Sequence, residues 1–321
     1  MDAPLVGVSR GAIIESLHRG RLVFCDTEGV VLDEIGDPEG YVYPRSSAKP
    51  FQALPLVLSG AADNFGLTTK ELAVACGSHN GEEVHLDAVR SILEKAGLSE
   101  EDLQSGAHPP LYAPVAEKLV RSGEEPRPVH GNCSGKHAGM LAVCAHEGWD
   151  LGGYRTPEHP LQQWILETLS LVCGVERDEV LVAGDNCGAP TFALPLKSLA
   201  TGFVRLATGE NLPNELSEAV RRISGAMREH PYMVAGAGRF DTDLMQKTNL
   251  VVKGGAEAVF AAGSPEGWGL AIKVSDGTGR AVKPAASSAL VRRGVELPME
   301  TGSLETFNLH GEPVGEVVPL S

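Results

Sequence analysis

Strand signals stand at the two ends of this chain and helical periodicity fills the space between them. That segregation restricts the fold more than any other feature. Arg21-Leu22-Val23-Phe24-Cys25 and Val30-Val31-Leu32-Asp33-Glu34-Ile35 flank the turn Asp26-Thr27-Glu28-Gly29, which reads as a hairpin within residues 18–37. A second hairpin is expected near the other end, with Trp268 to Ser275 and Arg280 to Val282 around Asp276-Gly277-Thr278-Gly279. Between them, Thr69 to Cys76, Glu83 to Ala96, Pro114 to Arg121, His137 to Glu147, Pro160 to Cys173 and Leu216 to His230 carry apolar residues at three- and four-residue spacing. Ser99, with Asp102 three residues on, has the pattern of a helix start. Regular alternation of strand and helix would predict a doubly wound parallel sheet. Strands at both ends predict α+β instead: an antiparallel sheet formed from N- and C-terminal segments, with a helical middle. No internal repeat and no biased linker divides the chain. Residues 1–321 therefore read as a single domain, with room for a helical subdomain in about 60–230.

Composition sets outer limits. The 321 residues are 42% apolar and 21% charged, which is the make-up of a folded protein with a sizeable core. The net charge of −15 argues against nucleic-acid or anionic-membrane partners, both of which need basic surface. Met1-Asp2-Ala3-Pro4 lacks the basic and apolar regions of a signal peptide, and no apolar run reaches the roughly 20 residues that span a bilayer. A cytoplasmic protein is expected. In a reducing compartment the six cysteines read as buried thiols, reactive thiols or metal ligands rather than disulfides.

Three short motifs carry acyl-transfer chemistry. In Arg45-Ser46-Ser47-Ala48-Lys49-Pro50-Phe51, a helix start puts the Ser46 hydroxyl and the Lys49 amine on one face, one turn apart. A neutral lysine there can take the serine proton; the plainer alternative is a capping serine beside a solvated lysine. Cys76-Gly77-Ser78-His79-Asn80-Gly81 holds a Ser-x-Asn between glycines, which an ordinary polar turn would also contain. Val251-Val252-Lys253-Gly254-Gly255 reads as a strand-borne lysine followed by glycines that let substrate approach the backbone, or as a strand ending at the surface. The order Ser-x-x-Lys, Ser-x-Asn, Lys-x-Gly is that of class A β-lactamases and penicillin-binding proteins. Two lysines in one desolvated cleft disfavour each other's charge, so one of them can act as a base near neutral pH.

A fourth constellation lies outside that pattern. Asn132-Cys133-Ser134-Gly135-Lys136-His137 and Gly184-Asp185-Asn186-Cys187-Gly188 each place a cysteine in a glycine-flanked turn, whereas Cys144 and Cys173 sit in helices as core. The turn cysteines, with the neighbouring His and Lys, are suited either to zinc or to a thiol nucleophile, although no Cys-x-x-Cys or His-x-x-x-His spacing is present.

Taken together with Gly106-Ala107-His108-Pro109, His230-Pro231-Tyr232-Met233-Val234-Ala235-Gly236 and Lys253-Gly254-Gly255-Ala256, these strings resemble the third, rhizobial class of L-asparaginases, the asparaginase II family. The likeness runs from about His18 to Asp276, and the Asn-Cys-Ser-Gly-Lys-His string is its most specific part. The resemblance implies a fold related to serine β-lactamases, penicillin-binding proteins and glutaminases. It implies hydrolysis of L-asparagine to L-aspartate and ammonia, and a homodimer. It also implies two Ser–Lys pairs, Ser46 with Lys49 and Ser78 with Lys253, and zinc held by Cys133, Lys136 and Cys187. On this reading Ser46 attacks and Lys49 is its base. Lys253 and Ser78 relay the proton to ammonia, and backbone N–H groups near Ser46 and the Lys253 segment hold the oxyanion. Arg45, whose planar fork matches a carboxylate, is the candidate for the substrate α-carboxylate, and Asp185 for its α-ammonium; a structural ion pair or cap is the alternative for both. His137 reads as supporting or structural. The competing functions are glutamine hydrolysis, a penicillin-recognising acyl-transferase, and a non-catalytic zinc- or ligand-binding relative.

Overall fold

The computed structural model describes residues 1–297 and 304–320. Its strands are β1 (Ala3–Arg10), β2 (Ile13–Cys25), β3 (Val31–Ile35), β4 (Tyr41–Val42), β5 (Leu181–Gly184), β6 (Pro190–Pro195), β7 (Val251–Gly255), β8 (Val259–Ser264), β9 (Trp268–Val274), β10 (Leu304–Phe307) and β11 (Pro313–Pro319). The main sheet runs β10-β11-β1-β2-β9-β8-β7, with β3 also paired to β2, and every pairing is antiparallel. Segments from both ends of the chain build it and the helices come from the middle, as the α+β reading expects. A small sheet, β4-β6-β5, lies apart from it and carried no sequence signal.

The helical expectations meet helices at Thr69–Ala75, Glu83–Lys95, Ala113–Ser122, Ser134–Glu147, Pro160–Cys173 and Asn214–Glu229. Ser99 does cap a helical turn with Asp102 in a reciprocal box, but the turn is a single 3-10 element, Glu100–Asp102. The second hairpin is corrected. β9 is paired by β2 on one side and β8 on the other, so no place beside it remains for Arg280–Val282. That stretch instead enters the helix Val282–Arg292.

β8 is buried along its whole length and β9 nearly so, which takes cover on both faces. The helices Leu196–Thr208 and Val282–Arg292 both pack on these strands. Glycines make the first contact close: a Cβ on Gly263 would lie 1.9 Å from the Phe203 carbonyl oxygen, and one on Gly269 2.0 Å from that of Ala200. β7 ends the sheet, and against it lies the 3-10 turn Arg45–Ala48. Ser47 Oγ donates to the Lys253 carbonyl oxygen at 2.8 Å, and a Cβ on Gly255 would meet the Pro44 carbonyl oxygen at 2.3 Å. Gly255, two residues after Lys253, thus allows the serine turn to sit directly on the strand. Among the described residues no helix is long and apolar enough to cross a membrane.

Candidate active site

A cleft of about 430 Å³ opens beside this junction, lined among others by Arg45, Ser46, His108, Asn132, Cys133, Asp185, Cys187 and Ala256. Ser46 lies in its wall. Lys49, Ser78 and Lys253 are buried behind it.

The turn carrying Ser46 is held from two sides. Ser47 ties it to β7, and Arg45 ties it to the loop after β5. Arg45 has a φ of 53°, in the left-handed region that a side-chain-bearing residue occupies at a cost. Its guanidinium offsets that strain by gripping Asp185 Oδ1 through Nε at 2.9 Å and Nη2 at 2.7 Å. The two candidate substrate ligands are therefore paired with each other across the cleft. All of those contacts fall on one carboxylate oxygen, which also accepts the Asn186 N–H at 2.8 Å.

The hydrogen bonds cut across the expected pairs. Lys49 Nζ bonds not Ser46 but Ser78 Oγ at 2.8 Å, and also donates to the carbonyl oxygens of Gly77 at 2.7 Å and Asn132 at 3.3 Å. Lys253 Nζ donates to the Gly254 carbonyl oxygen at 2.8 Å and to Asp241 Oδ2 at 3.3 Å; no bond joins it to Ser78 among the described residues. The reason is the route of the Ser78 loop. After the helix Thr69–Ala75, Ser78 N–H docks on the Val234 carbonyl oxygen at 2.8 Å. Gly77 allows that approach, since a Cβ there would lie 2.8 Å from the Met233 carbonyl oxygen. The docking brings the Ser78 hydroxyl onto Lys49.

Electrostatics separate the buried amines. Burial pushes Lys49 down; the Cys133 sulfur opposes the shift and the Lys136 charge reinforces it. Burial lowers Lys253 to about 8, partly offset by Asp241 and deepened by Lys49. Burial also works against Lys136, but the sulfurs of Cys187 and Cys133 outweigh it and its pKa is raised. Lys136 Nζ stands 3.0 Å from Cys187 Sγ. The neighbouring Cys187 thiol holds Cys133 well below the ordinary thiol range, helped by Lys49 and Lys136, and Cys187 is itself pushed up by Cys133 and burial.

The sequence-derived metal ligands thus converge as two sulfurs and one amine. Among the described residues no three His, Cys, Asp or Glu side chains group as they would to hold a metal ion. The donor set suits zinc, which is commonly bound by thiolate and nitrogen. His137 is buried and its Nδ1 bonds Tyr154 Oη at 2.7 Å.

Two site residues were not assigned from sequence. His108 Nε2 accepts the Asn132 N–H at 3.2 Å, fixing the residue whose carbonyl receives Lys49. Its motif was visible in Gly106-Ala107-His108-Pro109, but no role was. Asp241, the partner of Lys253, sits in the helix Phe240–Lys247 and had no local signal at all.

A serine in a cleft wall, a second serine on a buried amine, and a further buried lysine at the edge of an antiparallel sheet are the parts of an enzyme that cleaves amides through its own hydroxyl. The chain belongs to the L-asparaginase II family, whose profile matches residues 6–319, and is accordingly an amidohydrolase with a small-molecule substrate. The match extends past both limits of the motif-bearing region, and the family is the one the motifs resembled. Among solved structures the chain is similar to a β-lactamase from Mycobacterium bovis, with 12% identity over 85% of this chain and 94% of that one and a TM-score of 0.46. It is similar to Mglu in its native form, at 12% identity over 87% and 65% with a TM-score of 0.43. It is also similar to a variant of the simvastatin synthase of Aspergillus terreus, at 10% identity over 85% and 93% with a TM-score of 0.44. No curated protein sequence matches it.

Proposed function

We propose that the protein hydrolyses L-asparagine to L-aspartate and ammonia through an acyl-enzyme on Ser46. The observation that supports this reading is Ser46 in the cleft lining together with the buried Lys49–Ser78 hydrogen bond. A neutral Lys49 satisfies its three contacts without excess: two N–H groups go to the Gly77 and Asn132 carbonyls, and the lone pair faces the Ser78 hydroxyl. Its lowered pKa favours that form.

Ser46 Oγ attacks the side-chain amide carbon and its proton passes to Lys49. Backbone N–H groups near Ser46 and the Lys253–Ala256 segment take the oxyanion. The proton reaches the amide nitrogen through Ser78, with Lys253 beside the path, and ammonia leaves. Water then attacks the ester and the same groups run the proton transfers in reverse. The Arg45–Asp185 pair leaves Arg45 Nη1 and Asp185 Oδ2 free among the described residues, and these are assigned to the substrate's α-carboxylate and α-ammonium.

Zinc belongs to the proposal, held by Cys133, Lys136 and Cys187. When bound it supplies a fixed positive centre beside the cleft. Lys136 would have to bind as the neutral amine, so loading releases its proton. A homodimer is also proposed, and sedimentation would check it.

Ammonia release from L-asparagine and L-glutamine, with wild type and Ser46→Ala side by side, tests the function. Release from asparagine that outruns glutamine and disappears in the variant supports it. Faster release from glutamine would reassign the substrate, since one methylene is worth only about 1–3 kcal/mol in an apolar pocket. No release from either amide after zinc loading would favour a binding protein.

A further inference from the structure

Lys49 and Lys253 are both buried, yet only one has a carboxylate. Asp241, itself buried, presents Oδ2 to the Lys253 ammonium at 3.3 Å and accepts the Gly254 N–H on the same oxygen at 2.8 Å. Gly254 makes room for it, because a Cβ there would sit 3.1 Å from Asp241 Oδ1. The carboxylate therefore grips the side chain of Lys253 and the backbone that follows it. Lys49 has a hydroxyl and two carbonyls around it, which neutral and charged amines both accept.

We propose that Asp241 is a positioning residue for the hydrolysis: its carboxylate pairs with the Lys253 amine as an ammonium and holds it on the Gly254 edge. The proposal rests on the amide-hydrolysis reading above. The groups facing Lys253 are Asp241 from the helix Phe240–Lys247, Arg239 just before it, Lys49 beside the serine turn, and the Cys76 thiol at the end of the helix Thr69–Ala75. On the neighbouring strand its partner is Ala261. Burial, Lys49 and Arg239 all drive Lys253 towards neutrality, and among the described residues Asp241 is the carboxylate that opposes them. The Cys76 thiol is pushed up to about 12 by burial and stays uncharged near neutral pH.

The test is Asp241→Asn, which keeps an acceptor for the Gly254 N–H and removes the charge, with Asp241→Glu as the conservative control. Two quantities are read: the pH profile of kcat/KM for L-asparagine, and the titration of the Lys253 side-chain amine by NMR of lysine-labelled protein, assigned by its loss in Lys253→Met. We expect the alkaline limb of the profile and the NMR midpoint of Asp241→Asn to fall together by at least one pH unit. That lowers kcat/KM roughly tenfold on the alkaline side and far less below pH 6. Asp241→Glu should keep both close to wild type. A rate that drops equally at every pH, with the Lys253 midpoint unmoved, would overturn the proposal and leave Asp241 a structural contact. The NMR midpoint needs no substrate. A shifted midpoint in a protein that never hydrolyses asparagine would support the charge assignment while rejecting the substrate.

Discussion

The serine corner and the sulfur corner of the cleft each contain a fully buried lysine, and the two are pushed in opposite directions. Lys49 is lowered and Lys136 is raised. Burial acts on both in the same sense, so the neighbours decide. Lys136 has Cys187 Sγ at 3.0 Å, Cys133 beside it and Asp185 within its field. Lys49 feels the Cys133 sulfur too, but its hydrogen-bond partners are neutral acceptors and the charge of Lys136 is set against it. The comparison teaches that equal burial leaves a lysine raised where a sulfur is its bonding partner and lowered where neutral oxygens are.

The largest effect should come from breaking the serine corner. Ser46→Ala and Lys49→Met should each lower kcat for ammonia release by roughly 10⁴-fold or more, the scale seen when a nucleophile or its base is removed. Ser46→Ala that keeps a tenth of the activity would move the nucleophile to Ser78 or a cysteine. Breaking the sulfur corner should do less to the rate and more to the metal. Lys136→Met should lower zinc content, read by elemental analysis, from near one per chain towards none. Activity should fall roughly 10–100-fold, the range for losing groups that tune a metal site. An equal loss in Lys136→Met and Lys49→Met would end the distinction between the corners. The smallest effect belongs to Arg45, which stands between them. Arg45→Ala should raise KM for asparagine roughly tenfold with kcat nearly kept, the mark of uniform substrate binding. A collapse of kcat at constant KM would show instead that its grip on Asp185 serves to hold the Ser46 turn.

Local pattern carries the amphipathic helices through their apolar spacing, and in one case through a recognisable start. The capping box of Thr68 with Glu71 is that start. Local pattern fails on the helix Leu196–Thr208, which has no side-chain cap, includes threonines, a glycine and a valine, and is buried almost all round. Its leucines, alanines, Lys197 and Arg205 favour a helix, but apolar residues all round it hide the one-sided periodicity that marks the others. The β2–β3 hairpin is legible in the sequence, but β1 and the first half of β2 are not: Ala3–Arg10 contains a proline and a glycine, and β1 is held between β2 and a second partner, β11, from the other end of the chain.

The site divides in the same way. The sequence alone determined which residue types exist to do the chemistry: hydroxyls at 46 and 78, amines at 49, 136 and 253, thiols at 133 and 187. It also determined the order of the motifs, and through them the family. Only the tertiary structure decided who touches whom. Lys49 meets Ser78 because the Ser78 loop docks on Val234, and Lys253 meets Asp241 because a helix twelve residues upstream folds back onto β7. Spacing along a chain fixes neighbours within a turn of helix or across a tight hairpin. Hydrogen-bond partners further apart are chosen by the packing of whole elements, and so are the charges that those partners set.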